Sequence, residues 1–225
     1  MSETNLSTAD LHQLVHPGHT ALLVVDPQND LCLKEGAIGK MGYDQSIYDF
    51  SVYPPVLKKL QPLLDSARKA RVMVIYTQAT RLPEVAVSDA DTRMTLKIYK
   101  QSDPKHLPRS VVEGTWGAQF LDDVKPARSD IIIRKTRNSA FFGTPLDLLL
   151  RNSKVKTLVV TGCQTDGCIE STVRDASYSL GYITVIVKDC VASFCRESHE
   201  GMMVVFERRY DVVRSEDLIE TWNSP

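Results

Sequence analysis

The stretch TLVVTGCQTDGCIESTVRDASYSL, residues 157–180, changes its pattern at Gly162. Before the glycine it is a short apolar run rich in valine, which is typical of a strand buried on both faces of a parallel sheet. After a polar turn, a helical pattern begins near Cys168 and continues to about Leu180. A buried strand that passes through a short turn into a helix is the repeating unit of α/β folds, so this stretch predicts the fold class.

The rest of the chain repeats this alternation of strand and helix. Further apolar runs that predict strands are 21–25, 72–77, 131–135 and 182–189, with a sixth short strand at 211–214. Helical patterns cover 55–70, 144–152 and 197–210, and a closing helix has Ser215 as its predicted N-cap. The pattern predicts one doubly wound α/β domain over residues 1–225, with a mainly parallel six-stranded sheet and helices on both faces.

Two segments lie outside this alternation. Residues 1–16 are polar and are predicted to form an N-terminal extension of the domain. Residues 79–116 contain three prolines and no sustained hydrophobic period. A connection of that length in a compact domain is usually functional, so a lid or binding loop is expected there.

Composition and charge limit the possible partners. The chain has 225 residues and a formal net charge of -1, which gives no basic surface for nucleic acid or an anionic membrane. No apolar run approaches the roughly 18 residues of a membrane span, and the first residues do not resemble a signal peptide. These features predict a small-molecule partner and a cytoplasmic location.

Three chemically complementary residues close predicted strands or follow them. Asp26 ends the first strand, Lys135 ends the third, and Cys168 follows the fourth after a turn. Taken singly, each has an ordinary interpretation as a turn residue, a solvated ammonium or a small buried side chain. Ligands of open parallel sheets bind beyond the carboxyl ends of the strands, so the joint placement of these residues indicates a site.

The two cysteines of the opening stretch have different predicted roles. If Thr165 or Asp166 caps the helix, Cys168 lies in its first turn, where free N–H groups and the helix dipole would lower the pKa of the thiol. Cys163 directly follows Gly162 and is expected to pack beneath the turn. Cys168 is therefore the candidate nucleophile.

Other chemistries find no support in the motifs. The C-x4-C spacings do not match structural zinc sites, and His199, which lies among charged residues, is predicted to be a surface side chain. Phosphate-binding glycine motifs and G-x-S-x-G are absent from the sequence. We therefore expect no metal and no cofactor, and Asp26 is the candidate base for the thiol.

Three motifs in order resemble the isochorismatase-like cysteine hydrolases. They are ALLVVDPQND, RKTRNSAFFGTPLDLLL and VVTGCQTDGCIESTVRDA, and the likeness covers roughly residues 17–215. The resemblance implies that Asp26, Lys135 and Cys168 form a catalytic triad. It also implies a cis peptide bond between Cys163 and Gln164, and an oxyanion hole formed by the backbone N–H groups of Gln164 and Cys168.

The resemblance also implies an activity. Nicotinamidases have a histidine-containing metal motif after the second strand, whereas this chain reads YTQATRLPEV there. Within the family, the local sequence resembles the ureidoacrylate, N-carbamoylsarcosine and biuret amidohydrolase branches. The implied function is cysteine-dependent hydrolysis of the C–N bond in a small ureide, carbamoyl or carboxamide substrate, through a thioester and with release of ammonia. A homodimer or homotetramer is implied as well.

Two other functions stay open from the sequence. An isochorismatase-type vinyl-ether hydrolase would not need Cys168 as a nucleophile. A catalytically silent interaction module of the same fold would carry Cys168 as an ordinary thiol.

Substrate recognition is predicted at the same edge of the sheet. Asn29 and Gln78 flank the first two strand ends, and Trp116 lies in GTWG, whose glycines suit a loop that closes over a ligand. An arginine would bind a substrate carboxylate, and the candidates in loops or at strand ends are Arg81, Arg93, Arg109 and Arg137.

Overall fold

Six parallel strands form a single sheet in the computed structural model, which describes residues 6–41, 48–83 and 89–224. The strands are β1 (Thr20–Val25), β2 (Met73–Ala79), β3 (Ile131–Lys135), β4 (Thr157–Cys163), β5 (Ile183–Ala192) and β6 (Asp211–Val213). Their order across the sheet is β3-β2-β1-β4-β5-β6, and every neighbouring pair is parallel. The predicted doubly wound α/β fold is confirmed.

Helices connect the strands and cover both faces of the sheet. They are α1 (Thr8–Leu14), α2 (Asn29–Cys32), α3 (Tyr53–Lys69), α4 (Asp89–Ile98), α5 (Leu146–Asn152), α6 (Glu170–Arg174), α7 (Arg196–Arg209) and α8 (Ser215–Asn223). Helix α6 lies between two π-helical turns, Thr165–Ile169 and Asp175–Ser179. In the parts of the chain that the structure describes, no helix combines the length and the apolar character needed to cross a membrane.

The central strand β1 is buried throughout and divides its side chains between two cores. Leu22 and Val24 pack with α3 and α8 on one face, whereas Leu23 and Val25 pack with α5, α6 and α7 on the other. Alternate side chains of a strand point to opposite faces, so an uninterrupted apolar run is what a strand covered on both sides requires. This is why apolar and polar residues do not alternate along the predicted strands.

The strand order reverses between β1 and β4. From β1 the chain builds outward through β2 and β3, then crosses to β4 on the other side of β1. The register sets Val25 beside both Thr77 and Gly162, and Ala79 beside Lys135. The carboxyl ends of β1, β2, β3 and β4 therefore meet at the switch point, where open α/β sheets bind ligands.

Two predictions about element boundaries need correction. The segment 79–116 contains helix α4, and its residues 84–88 lie outside the described residues. No residue of α4 is buried, so this helix contributes nothing to the core. The N-cap of α8 is Arg214 instead of Ser215, because the Asp217 side chain accepts a hydrogen bond from the Arg214 N–H.

The predicted N-terminal extension is partly built into the domain. Residues 1–5 lie outside the described residues, but α1 contacts α8, and Leu11 and Val15 belong to the core. The Trp222 indole also donates a hydrogen bond of 2.9 Å to the Val15 carbonyl. The segment therefore closes one end of the α3/α8 face.

Gly162 is required where β4 passes β1. Its φ is +108°, and a Cβ there would lie 2.1 Å from the Val25 carbonyl oxygen. We predict that Gly162→Ala lowers the free energy of unfolding by about 3 kcal/mol or more, as measured by urea denaturation. Gly181→Ala is the matched control, since φ is +78° there but a Cβ would meet nothing within 4 Å; a loss of about 1 kcal/mol is expected. Equal losses would contradict the steric argument.

Candidate active site

Asp26 lies at the bottom of the candidate site, fully buried at the end of β1. Its backbone is in the left-handed region, with φ of 48°, which aspartate tolerates better than most residues. Carboxylate oxygen Oδ1 accepts hydrogen bonds from the Thr77 hydroxyl at 2.6 Å and from the Ala79 N–H at 3.1 Å. The second oxygen, Oδ2, faces the Lys135 ammonium at 2.6 Å. The carboxylate is thus fixed by the neighbouring strand and paired with a charge.

Lys135 ends β3 and reaches across β2 to the same point. Its Nζ lies 2.6 Å from Asp26 Oδ2, 3.1 Å from Cys168 Sγ and 3.1 Å from the Arg137 carbonyl oxygen. The side chain is 1% exposed. Burial is the largest influence on the pKa of Lys135 and lowers it, but Asp26 and Cys168 together outweigh burial and raise the pKa above its usual value. The lysine is therefore a cation at neutral pH.

The Cys168 thiol completes the arrangement, and its pKa differs from the sequence prediction. Burial raises the pKa of Cys168 to about 12; the Lys135 charge lowers it and the Asp26 charge raises it. The predicted fall in pKa is wrong, because removal of the thiol from water outweighs the nearby cation. The resting site consists of a neutral thiol beside a paired carboxylate and ammonium.

The helix that carries Cys168 begins earlier than the sequence indicates. Its first turn is the π-helical segment Thr165–Ile169 with Gln164 as N-cap, and no side chain caps it. The predicted caps, Thr165 or Asp166, are wrong, because both residues already lie inside the turn. The Thr165 hydroxyl instead lies 2.9 Å from His199 Nδ1. His199 is half-buried, so its predicted surface position is wrong too.

The junction between β4 and this turn is held by hydrogen bonds from the Gln164 side chain to neighbouring segments. The Cys163–Gln164 peptide bond is cis, as expected from the resemblance. Gln164 Oε1 accepts hydrogen bonds from the Tyr53 hydroxyl at 2.8 Å and the Phe194 N–H at 3.3 Å, and Nε2 donates to the Leu31 carbonyl at 3.1 Å. The Gln164 side chain is thus held by three protein groups.

Cys163 is a buried structural thiol, in line with its predicted place beneath the turn. Its Sγ donates to the Asp26 carbonyl at 3.0 Å and lies 3.2 Å from Cys32 Sγ. The contact with Cys32, followed by burial, raises the pKa of Cys163 well above its usual value. Cys163 therefore stays protonated and supports the backbone of Asp26.

The three predicted substrate-binding residues converge on one short segment. Asn29 Nδ2 donates to the Trp116 carbonyl at 2.8 Å, and Gln78 Nε2 donates to the Ala118 carbonyl at 2.9 Å. The Trp116 side chain is 49% exposed. Asn29 and Gln78 thus hold the turn that presents Trp116, and their role in binding a substrate stays a prediction.

Two further residues, Thr77 and Gln28, support the site. Thr77 both donates to the Asp26 carboxylate and accepts a 3.1 Å hydrogen bond from the Asp26 N–H. The fully buried Gln28 bonds the backbone of Ala79 in both directions and also donates to the Ala118 carbonyl. Both residues lie at strand ends beside a selected residue, and a polar residue in such a position was the available signal.

The arrangement is suited to proton transfer and attack by a thiol. A carboxylate and a thiol share one ammonium; the carboxylate and the ammonium are buried, where electrostatic interactions are strong, and the thiol is half-buried and open to a substrate. Among the described residues, no group of three or more His, Cys, Asp or Glu side chains is placed to hold a metal ion.

Comparison with known proteins identifies the family. The isochorismatase domain family matches residues 20–217. Ureidoacrylate amidohydrolase RutB from Enterobacter sp. (strain 638) is 32% identical over 184 residues, which cover 77% of this chain and 75% of that protein. The chain belongs to the isochorismatase-like hydrolase family.

Solved structures share the fold. A cysteine hydrolase from Pseudomonas syringae pv. phaseolicola 1448A superposes with a TM-score of 0.72 at 24% identity, over 93% of this chain and 94% of that one. Nicotinamidase PncA from Bacillus subtilis superposes with a TM-score of 0.69 at 25% identity, over 87% of this chain and all of its own.

The opposing effects of two charges on Cys168 give a direct test of the site. Removing the Asp26 charge should lower the pKa of Cys168, and removing the Lys135 charge should raise it. We predict that the Cys168 thiol ionises at lower pH in Asp26→Asn than in the wild type, and at higher pH in Lys135→Met. The measurement is thiolate absorbance, with the corresponding Cys168→Ala titration subtracted. The reverse order of the two variants would contradict this charge arrangement.

Proposed function

We propose that the protein is a cysteine-dependent amidohydrolase that cleaves the C–N bond of a small ureide, carbamoyl compound or carboxamide and releases ammonia. The observation that carries the proposal is the position of the Lys135 ammonium, 2.6 Å from Asp26 Oδ2 and 3.1 Å from Cys168 Sγ. This arrangement supplies a nucleophile, a base and a fixed positive charge at one point.

In the first half of the reaction, the Asp26 carboxylate accepts the Cys168 proton as Sγ attacks the substrate carbonyl carbon. A C–S bond forms, and the carbonyl oxygen becomes an oxyanion that accepts hydrogen bonds from the backbone N–H groups of Gln164 and Cys168. The protonated Asp26 then donates its proton to the leaving nitrogen. The C–N bond breaks, ammonia departs, and a thioester remains on Cys168.

In the second half, Asp26 acts again as a base. It takes a proton from a water molecule as the water oxygen attacks the thioester carbonyl, and the same N–H groups stabilise the oxyanion. The C–S bond breaks, and the Cys168 sulfur recovers a proton from Asp26. An acid is released, or a carbamate that decomposes when the substrate is a ureide.

A neutral resting thiol fits this sequence of steps. Because burial raises the pKa of Cys168 to about 12, the thiolate forms only as the proton moves to Asp26. Lys135 remains charged throughout and keeps Asp26 in position. A carboxylate paired with a lysine can therefore accept the thiol proton, which is the role of histidine in many cysteine hydrolases.

The substrate class follows from the relatives as a proposal. The curated relative described above is a ureidoacrylate amidohydrolase, which acts on a compound with a terminal ureido group. We extend that class of substrate to this chain. The cytoplasmic location and the homodimeric or homotetrameric state stay predictions.

The test is an ammonia-release assay across ureidoacrylate, N-carbamoyl amino acids, biuret, nicotinamide and simple carboxamides. We expect turnover of at least one ureide or amide, and a fall in kcat of at least about 10⁴-fold in Cys168→Ala. Cys195→Ala is the matched control, because Cys195 is a half-buried thiol on another element and should leave the rate unchanged.

Each alternative function has a distinct outcome in the same assay. Ammonia release that persists in Cys168→Ala would contradict a cysteine nucleophile. Hydrolysis of isochorismate that Cys168→Ala leaves intact would indicate vinyl-ether chemistry. No turnover of any compound, with ordinary alkylation of Cys168 by iodoacetamide, would indicate a silent member of the fold.

A further inference from the structure

His199 of α7 contacts the turn that carries the candidate nucleophile, although it takes no part in the proposed reaction steps. Its Nδ1 lies 2.9 Å from the hydroxyl oxygen of Thr165. Thr165 is the first residue of the π-helical turn Thr165–Ile169, which we call the Cys168 turn. No side chain caps this turn, so the contact with His199 anchors it to a neighbouring helix.

The Thr165 side chain depends on this contact. Thr165 is fully buried, and a buried hydroxyl that has lost its exposure to water needs a hydrogen-bond partner within the protein. His199 supplies that partner. A change at His199 that removes the imidazole would therefore leave a polar group unsatisfied inside the Cys168 turn.

The imidazole of His199 is neutral at neutral pH. Burial lowers the pKa of His199 and outweighs the opposite influence of the Asp166 and Glu200 carboxylates. A neutral imidazole has one nitrogen that donates a hydrogen bond and one that accepts. The ring is thus suited to a hydrogen bond with a hydroxyl, which can donate as well as accept.

The Cys168 turn is held at its start by a second set of contacts. The carbonyl of the N-cap residue Gln164 accepts hydrogen bonds from the N–H groups of Gly167 and Ile169, each at 3.1 Å. The Gln164 side chain is itself bound by three groups of neighbouring segments. Gln164 therefore fixes the entry to the turn, and His199 fixes its first residue from the side of α7.

The position of the nucleophile follows from the position of this turn. Cys168 lies three residues beyond Thr165 in the same five-residue segment, and its Sγ is 3.1 Å from Lys135 Nζ. A shift of the turn would therefore move the sulfur relative to the ammonium. Attack on a carbonyl carbon is sensitive to such a shift, because misplacement of a reacting group by about 1 Å can slow a reaction by about 100-fold.

We propose that His199 is a positioning residue for Cys168: through the Thr165 hydroxyl it fixes the Cys168 turn in the orientation that attack requires. The proposal rests on the proposed amidohydrolase function and adds a residue to its machinery. His199 exchanges no proton with the thiol or the substrate, since the thiol proton passes to Asp26. Loss of the contact therefore slows the chemical step and leaves the groups that bind the substrate in place.

The kinetic test compares three single variants on the compound of the ammonia-release panel that the wild type turns over fastest. His199→Leu cannot bond Thr165 and should lower kcat by about 10-fold, with KM changed by less than about twofold. His199→Asn, which offers an amide near the position of Nδ1, should keep at least about half of the wild-type kcat. Glu197→Leu, at an exposed position on the same helix, is the matched control and should leave kcat unchanged.

A double-mutant cycle shows whether His199 acts through Thr165. Thr165→Val removes the hydroxyl and keeps the shape of the side chain, so it should lower kcat as His199→Leu does. The variant with both changes should lose about as much as either single variant, because the same hydrogen bond is removed. Losses that multiply, or a wild-type kcat in His199→Leu, would overturn the proposal.

Hydrogen exchange measured by mass spectrometry tests the positioning role without turnover. His199→Leu should speed exchange at least about threefold in the peptide that contains the Gly167 and Ile169 amides, and should leave β1 unchanged. Unchanged exchange in that peptide, or an equal rise in β1 that indicates general destabilisation, would overturn the proposal. Failure of the proposed function would instead appear as absence of Cys168-dependent ammonia release from the wild type, and exchange then decides alone whether His199 holds the turn.

Discussion

The buried ion pair between Asp26 and Lys135 is the interaction on which the rest of the site depends. Both side chains are almost fully removed from water, and either charge alone would carry a large desolvation cost there. The pair is possible only because β1 and β3 end at the same level of a parallel sheet, with β2 between them supplying Thr77 and Ala79. The fold thereby fixes a buried carboxylate whose paired ammonium lies 3.1 Å from the Cys168 sulfur.

The fold was predictable because burial leaves a direct signal in the sequence. Strands covered on both faces are nearly continuous apolar runs, and each run found in the sequence is a strand of the sheet. The polar residues that close them, Asp26 and Lys135, could be selected because parallel strands end at one edge. Helix α4 was not predicted, because it is short, buries no side chain and lies in a segment with three prolines.

The electrostatic state of the site could not be predicted in the same way. A sequence indicates that Cys168 is close to a helix start, which favours a thiolate, but gives no measure of how completely the thiol is withdrawn from water. Burial raises the pKa of Cys168 by more than the nearby Lys135 charge lowers it. The contact between His199 and Thr165 was not predicted, because the charged neighbours of His199 suggested a solvent-exposed position. In the structure, its face of α7 turns toward the segment Thr165–Ile169.

A double-mutant cycle on unfolding tests the central claim most directly. Lys135→Met and Asp26→Asn each leave one buried group without its partner and should each lower the free energy of unfolding by about 3–5 kcal/mol in urea. The double variant removes both charges, so the account predicts a loss well below the sum of the two single losses. Losses that simply add would show that the two side chains are not coupled and would contradict the account.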